Sequence, residues 1–104
     1  MDLVVLVYKL TENFPREEIY GLTMQMRRSS VSIPSNIAEG SRRSSRKDFR
    51  NFLLNAYGSG AELETQIEIS KRLLFAREGN YSKIESLLSE IMRMLNKLTN
   101  NFKS

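Results

Sequence analysis

The sequence predicts an all-α fold, a single antiparallel up-and-down four-helix bundle over residues 1–104. Three observations carry that expectation. Apolar residues recur at spacings of three and four through most of the chain, whereas strand-like alternation is nowhere sustained. Only two prolines, Pro15 and Pro34, interrupt the pattern. A chain of 104 residues, 40% hydrophobic and 27% charged, is enough for one core and too little for two.

The first helix is predicted over Asp2 to Thr11, with Leu3, Leu6, Val7 and Leu10 facing inward. It ends near Asn13-Phe14-Pro15, because proline restricts the residue before it and brings no amide hydrogen. The second covers Glu17 to Gly40. At about 100° per residue, Ile19, Leu22, Met26, Ile33 and Ile37 share one face, and Tyr20, Met24, Val31 and Ala38 share another. Arg28, Ser32, Ser35 and Glu39 form a polar strip beyond the second stripe. Pro34 removes a backbone hydrogen bond, so either a kinked helix or two shorter ones satisfy the pattern. Ser35, Asn36 and Glu39 are expected to satisfy the freed backbone groups and to pair with Arg28 or with a neighbouring chain. Asn36 and Glu39 should then be at least partly buried.

A capping box, Ser45 with Asp48, opens the third helix. Its stripe runs Phe49, Phe52, Leu53, Ala56, Gly60, Leu63, Ile67, Ser70, Leu74, about seven turns without a break. Gly58 and Gly60 lie inside it, each costing about 1 kcal/mol relative to alanine. Either a stable helix tolerates them or a neighbouring helix approaches closely at Gly58-Ser59-Gly60-Ala61, and close approach is the favoured reading. After a turn at Glu78-Gly79-Asn80, Ser82 with Glu85 forms a second capping box. It leads into the stripe Ile84, Leu87, Leu88, Ile91, Leu95, Leu98, Phe102. The second apolar stripe of helix two exceeds what one small bundle buries, which predicts self-association.

Composition removes whole classes of chemistry. Cysteine and histidine are both absent, which excludes disulfides, thiolate nucleophiles, Cys/His zinc sites and Ser-His-Asp triads. Glu62, Glu64 and Glu68 lack the histidines that carboxylate-bridged metal bundles require, and read as a solvated or salt-bridged face. No glycine-rich phosphate loop with its lysine is present. The expectation is a non-catalytic protein without cofactor or metal. The longest apolar opening, Leu3 to Val7, is far too short for a signal peptide or a membrane span, so no membrane partner is expected. The absence of cysteine fits a reducing interior and fits the periplasm as well, and a cytoplasmic location is the default expectation.

Particular residues go further. The opening Tyr8-Lys9-Leu10-Thr11-Glu12-Asn13-Phe14-Pro15 is followed by Tyr20-Gly21-Leu22-Thr23. Next comes Arg27-Arg28-Ser29-Ser30-Val31-Ser32-Ile33-Pro34-Ser35-Asn36-Ile37-Ala38-Glu39-Gly40. Ser45, Phe49, Phe52, Leu53, Gly58, Ser59 and Glu62-Leu63-Glu64-Thr65-Gln66 complete the pattern. Over nearly its whole length the chain resembles the four-helix bundle proteins encoded in intervening sequences of bacterial 23S ribosomal RNA genes. The resemblance implies a ring-like homopentamer. It also implies kinship with the accessory variability determinants of diversity-generating retroelements, which bind reverse transcriptase and nucleic acid through basic surfaces. Such proteins usually carry a further aromatic, helical lead-in ahead of the segment matching Leu3 onward, so the first helix here is expected to be truncated at its start.

Charge is concentrated. The chain carries a net +4, yet Arg27, Arg28, Arg42, Arg43, Arg46, Lys47 and Arg50 face only Glu39 and Asp48 between residues 27 and 50. The remainder of the chain is close to neutral. Cations at the start of helix three oppose its dipole, so either an external anion such as phosphate meets them or they form a solvated loop that keeps the protein soluble. No aromatic interleaves the loop's basic residues, so base stacking is not indicated. Met24, Val31, Pro34, Ser35, Asn36, Glu39, Gly58 and Gly60 are assigned to the structural motif and the oligomer interface. Two functions follow: an oligomeric scaffold that engages RNA or DNA, with or without a protein partner, or an oligomeric adaptor that binds protein only.

Overall fold

The computed structural model describes residues 2–103. Four helices follow in order, α1 (Asp2–Thr11), α2 (Leu22–Ser41), α3 (Arg46–Arg72) and α4 (Ser82–Asn101), with 3-10 turns at Arg16–Glu18 and Glu78–Asn80. Among the described residues there is no strand, and no helix is long and apolar enough to cross a membrane. Cross-helix contacts set the directions. Arg27 Nε, early in α2, donates to Thr11 Oγ1 at the end of α1 (2.8 Å). Ser32 and Ser59 join α2 to α3 at 2.8 Å, and Ser70, late in α3, meets the Tyr81 hydroxyl just before α4 at 2.9 Å. Each helix therefore runs antiparallel to the one before it. At 27 residues α3 spans about 40 Å, nearly the 44 Å length of the molecule, whereas α1 with 10 residues is half as long as α2 or α4.

The core follows the predicted stripes. Leu3, Val7 and Leu10 of α1, Leu22, Met26 and Ile33 of α2, Leu53, Ala56, Leu63 and Ile67 of α3, and Ile84, Leu88 and Leu95 of α4 are all buried. Met92 joins them because Gly60 leaves room: a Cβ there would strike Met92 Sδ. Gly58 has nothing within 4 Å, so close approach holds for one glycine of the pair and fails for the other within this chain. A second close seam lies elsewhere. A Cβ on Gly40 would fall 2.7 Å from Phe52 Cβ and 2.9 Å from Phe49 Cδ1, so the end of α2 rests its backbone on the start of α3.

Several predicted boundaries move. Helix two begins at Leu22 rather than Glu17, because Pro15 launches a 3-10 turn and Gly21 breaks direction before the helix. Glu18 Oε1 accepts from the Leu22 amide (3.1 Å), supplying the cap that Gly21 lacks. Ile19, expected in the core, is left outside the helix and is 49% exposed. Pro34 sits inside one unbroken helix, which removes the alternative of two. Tyr81 rather than Ser82 occupies the cap of α4, and the Ser82 hydroxyl turns back to the Gly79 carbonyl at 3.5 Å. The reason is burial: Tyr81 is fully enclosed, its hydroxyl donating to Ser70 Oγ, whose own proton goes to the Ile67 carbonyl. Beside it Lys71 bonds both carboxylate oxygens of Glu85, which holds the ammonium above its ordinary range. That contact favours the fold below the ordinary lysine value and fades as pH rises past it.

Leu74, predicted as the end of helix three's apolar stripe, lies beyond the helix. Its amide donates to the Lys71 carbonyl and that of Phe75 to the Ser70 carbonyl, both at 3.1 Å, which is the Schellman pattern. Its φ is 58°, a left-handed conformation that suits glycine, and its side chain is 84% exposed. Leu74→Gly should therefore raise the unfolding free energy by about 1 kcal/mol. Gly40→Ala should lower it by about 1–3 kcal/mol, because the phenylalanine stems cannot withdraw without backbone movement. Urea denaturation of both variants measures the two signs together.

Candidate nucleic-acid interface

The turn between α2 and α3 is short and firmly closed. The amides of Arg42 and Arg43 bond the carbonyls of Glu39 and Gly40, and Ser45 Oγ accepts from the Asp48 amide at 2.9 Å, as the first predicted capping box requires. Arg42, Arg43, Arg46, Lys47 and Arg50 therefore gather at one end of the bundle. Arg27 and Arg28 do not join them. They lie near the start of α2, about 20 Å away along its axis at about 1.5 Å per residue. Arg27 donates to Thr11 Oγ1 and the Tyr8 carbonyl and lies over the Tyr8 ring at 4.5 Å, so it pins α1 to α2. Arg28 is exposed and, among the described residues, its side chain reaches only Met24 Sδ, at 3.6 Å. The continuous basic segment of the sequence is thus divided in space.

At the basic end the arginines have partners the sequence did not indicate. Arg46 Nη2 donates to the Asn101 carbonyl and Arg50 Nε to the Thr99 carbonyl, each at 3.1 Å. These are last-turn carbonyls of α4, where cations are favoured. The placement that opposes the dipole of α3 satisfies that of its antiparallel neighbour. Arg43 pairs with Glu39 one turn back and lies 5.1 Å above the Phe52 ring. Arg42 and Lys47 are exposed and make no side-chain hydrogen bond or ion pair among the described residues.

Two further residues complete the end. Phe102 and Lys103 follow α4 and, with Arg46, Lys47, Arg50 and Asn51, line a recess of about 510 Å³. Phe102 meets Phe49 edge-on at 4.8 Å and carries the Arg46 guanidinium at 4.5 Å. An aromatic does interleave the basic residues, contrary to the expectation from the loop alone. It arrives from the other end of the chain, and only the antiparallel pairing of helices three and four could have indicated it.

The polar motif of α2 also departs from expectation. Glu39 is exposed, with 51% of its side chain open to solvent, and its partner is Arg43, not Arg28. Asn36 is half-buried as expected, but its amide donates to the Ser32 carbonyl (2.8 Å) and hydroxyl (3.0 Å), not to the carbonyl that Pro34 frees. Ser35 is exposed and Pro34 half-buried. Met24 is half-buried, while Val31 and Ala38 of the same stripe stand open. No group of three or more acidic residues placed to hold a metal exists among the described residues.

Fold and site together define an all-α, four-helix protein with one basic end. The model of the 23S rRNA-intervening sequence protein family matches residues 1–97, and the chain belongs to that family. A crystal structure from Bacteroides thetaiotaomicron, of a protein of unknown function from the S23 ribosomal protein family, superposes with a TM-score of 0.81 at 29% identity. The match covers 92% of this chain and 87% of that one. No curated protein matches.

Removing the α4 contacts should loosen that helix locally. Arg46→Ala or Arg50→Ala should each cost about 1 kcal/mol at the last turn, or about fivefold faster amide exchange there. Residue-resolved hydrogen exchange should place the change between Leu98 and Lys103 and leave α1 unaffected.

Proposed function

We propose that the chain is a non-catalytic, homo-oligomeric scaffold whose basic end engages the phosphates of RNA or DNA. The observation that carries this reading is the convergence of Arg42, Arg43, Arg46, Lys47, Arg50 and Lys103 at one end, where Glu39 and Asp48 are the nearby acids in sequence. Arg42 and Lys47 are free to meet an external anion, and Arg46, exposed, and Arg50, half-buried, each have further N–H groups beyond the bond they make to α4. Side chains of this kind track a phosphate backbone without reading sequence. Cytoplasmic residence accords with such a partner.

Self-association is supported by the strip that α2 leaves uncovered, Val31 and Ala38 with Met24 half-buried beside them; Tyr20, expected on that strip, lies in the turn before the helix and is exposed there. Resemblance to the family supplies the number, five chains in a ring, which would repeat the basic end once per protomer and multiply weak contacts by avidity. Tyr57 and Leu54 of α3 are open as well, and they favour the second reading, an oligomeric adaptor that binds protein alone.

Mobility shift with unrelated RNA and DNA separates the two. Arg42→Ser with Lys47→Ser is the variant of choice, since neither side chain holds the fold. Wild type should bind at low salt and weaken by about 10³-fold or more towards physiological salt if roughly six phosphates are engaged. The double variant should bind less tightly with a shallower salt slope and an unchanged melting temperature. No wild-type shift at low salt would leave the adaptor reading standing. Light scattering should report several 12.0 kDa chains, and Val31→Glu should reduce that mass; a wild-type monomer would reject the oligomer.

A further inference from the structure

The recess at the basic end is shaped for more than phosphate. Four cations line it, from Arg46, Lys47, Arg50 and Lys103, together with the Asn51 amide and one aromatic ring. Its volume of about 510 Å³ falls within the range of small-molecule pockets. A smooth duplex backbone needs no such concavity.

Arg46 is the centre of this arrangement. One nitrogen is tied to the Asn101 carbonyl, and its guanidinium carbon stands 4.5 Å from the centroid of the Phe102 ring. Phe102 is itself braced edge-on by Phe49. A hydrogen bond and a ring thus fix the guanidinium, while the side chain as a whole stays exposed. A planar cation held over an aromatic ring has a second face for another flat π-system, and nucleobases stack on guanidinium planes as they do on rings. Lys47, Lys103 and Arg50 line the same recess and supply charge for the flanking phosphates.

Resting on the nucleic-acid reading above, we infer that this recess is a single-strand site, in which one unpaired base stacks on the Arg46–Phe102 platform while the surrounding cations hold the phosphates on either side. A duplex cannot use it, because its bases already stack on one another and present only their edges and phosphates. Asn51 on the rim has both a donor and an acceptor for a base edge, and either orientation serves, so the site tolerates all sequences.

The test uses a short single-stranded RNA carrying the fluorescent base 2-aminopurine, the same sequence as a blunt duplex, and the full chain with two charge-conserving variants. Arg46→Lys keeps the charge and removes the planar face. Arg50→Lys makes the same kind of change in the other arginine that holds α4, outside the platform. Wild type should bind the single strand more tightly than the duplex and quench the 2-aminopurine. Arg46→Lys should lose about tenfold for the single strand, lose the quench, and retain the duplex affinity and its salt slope. Arg50→Lys, which alters a phosphate contact but not the platform, should weaken single strand and duplex alike and keep both the preference and the quench. Equal losses in the two variants would show that the end of α4, not stacking, matters, and would overturn the inference. Wild-type binding to duplex and single strand alike, without quench, would overturn it while leaving the phosphate reading intact. Failure of wild type to bind either at low salt would remove both.

Discussion

Everything at the basic end depends on how closely α2 and α3 approach each other. Gly40 has no side chain where Phe49 and Phe52 press against the backbone, and a methyl group there would overlap both. Because that contact fixes the end of one helix against the start of the next, the intervening residues are confined to a short turn. Ser45 then sets where α3 begins. The basic side chains are therefore presented by a rigid corner and not by a loose loop. The same corner points α3 so that Arg46 and Arg50 meet the last turn of α4.

On the proposed reading, charge at that corner has two uses that draw on the same side chains. An arginine has five N–H donors, and a bond to one carbonyl leaves the others free. Arg46 and Arg50 can complete the end of α4 and still face outward, which lysine at either position could not do with comparable geometry. Arg43 is committed differently, to Glu39 and to the Phe52 ring. The proposed surface thus shares residues with the scaffold, and wholesale removal of its arginines would disturb both.

Much of the fold was legible in the sequence because helical periodicity reports burial directly. The stripes of α3 and α4 became the core almost residue for residue, from Leu53 to Ile67 and from Ile84 to Leu95. Local signals were weaker wherever a distant contact decided the outcome. Ser82 had the right spacing for a cap, but burial of Tyr81 against Ser70 moved the helix start by one residue. Glu39 and Arg28 share a face in sequence, yet the nearer Arg43 takes the carboxylate. Of the basic segment, composition located the charge but could not say that Arg27 serves α1 while Arg46 serves α4. Phe102 and Lys103 lie nearly sixty residues from the turn they complete, beyond the reach of any short motif.

The way α4 ends has its own consequence. Its last carbonyls are held by arginines that belong to the start of α3. An anion that drew those guanidinium groups outward would therefore also weaken the hold on the last turn of α4. Occupancy of that corner and order in the closing helix are thereby linked through the same two side chains.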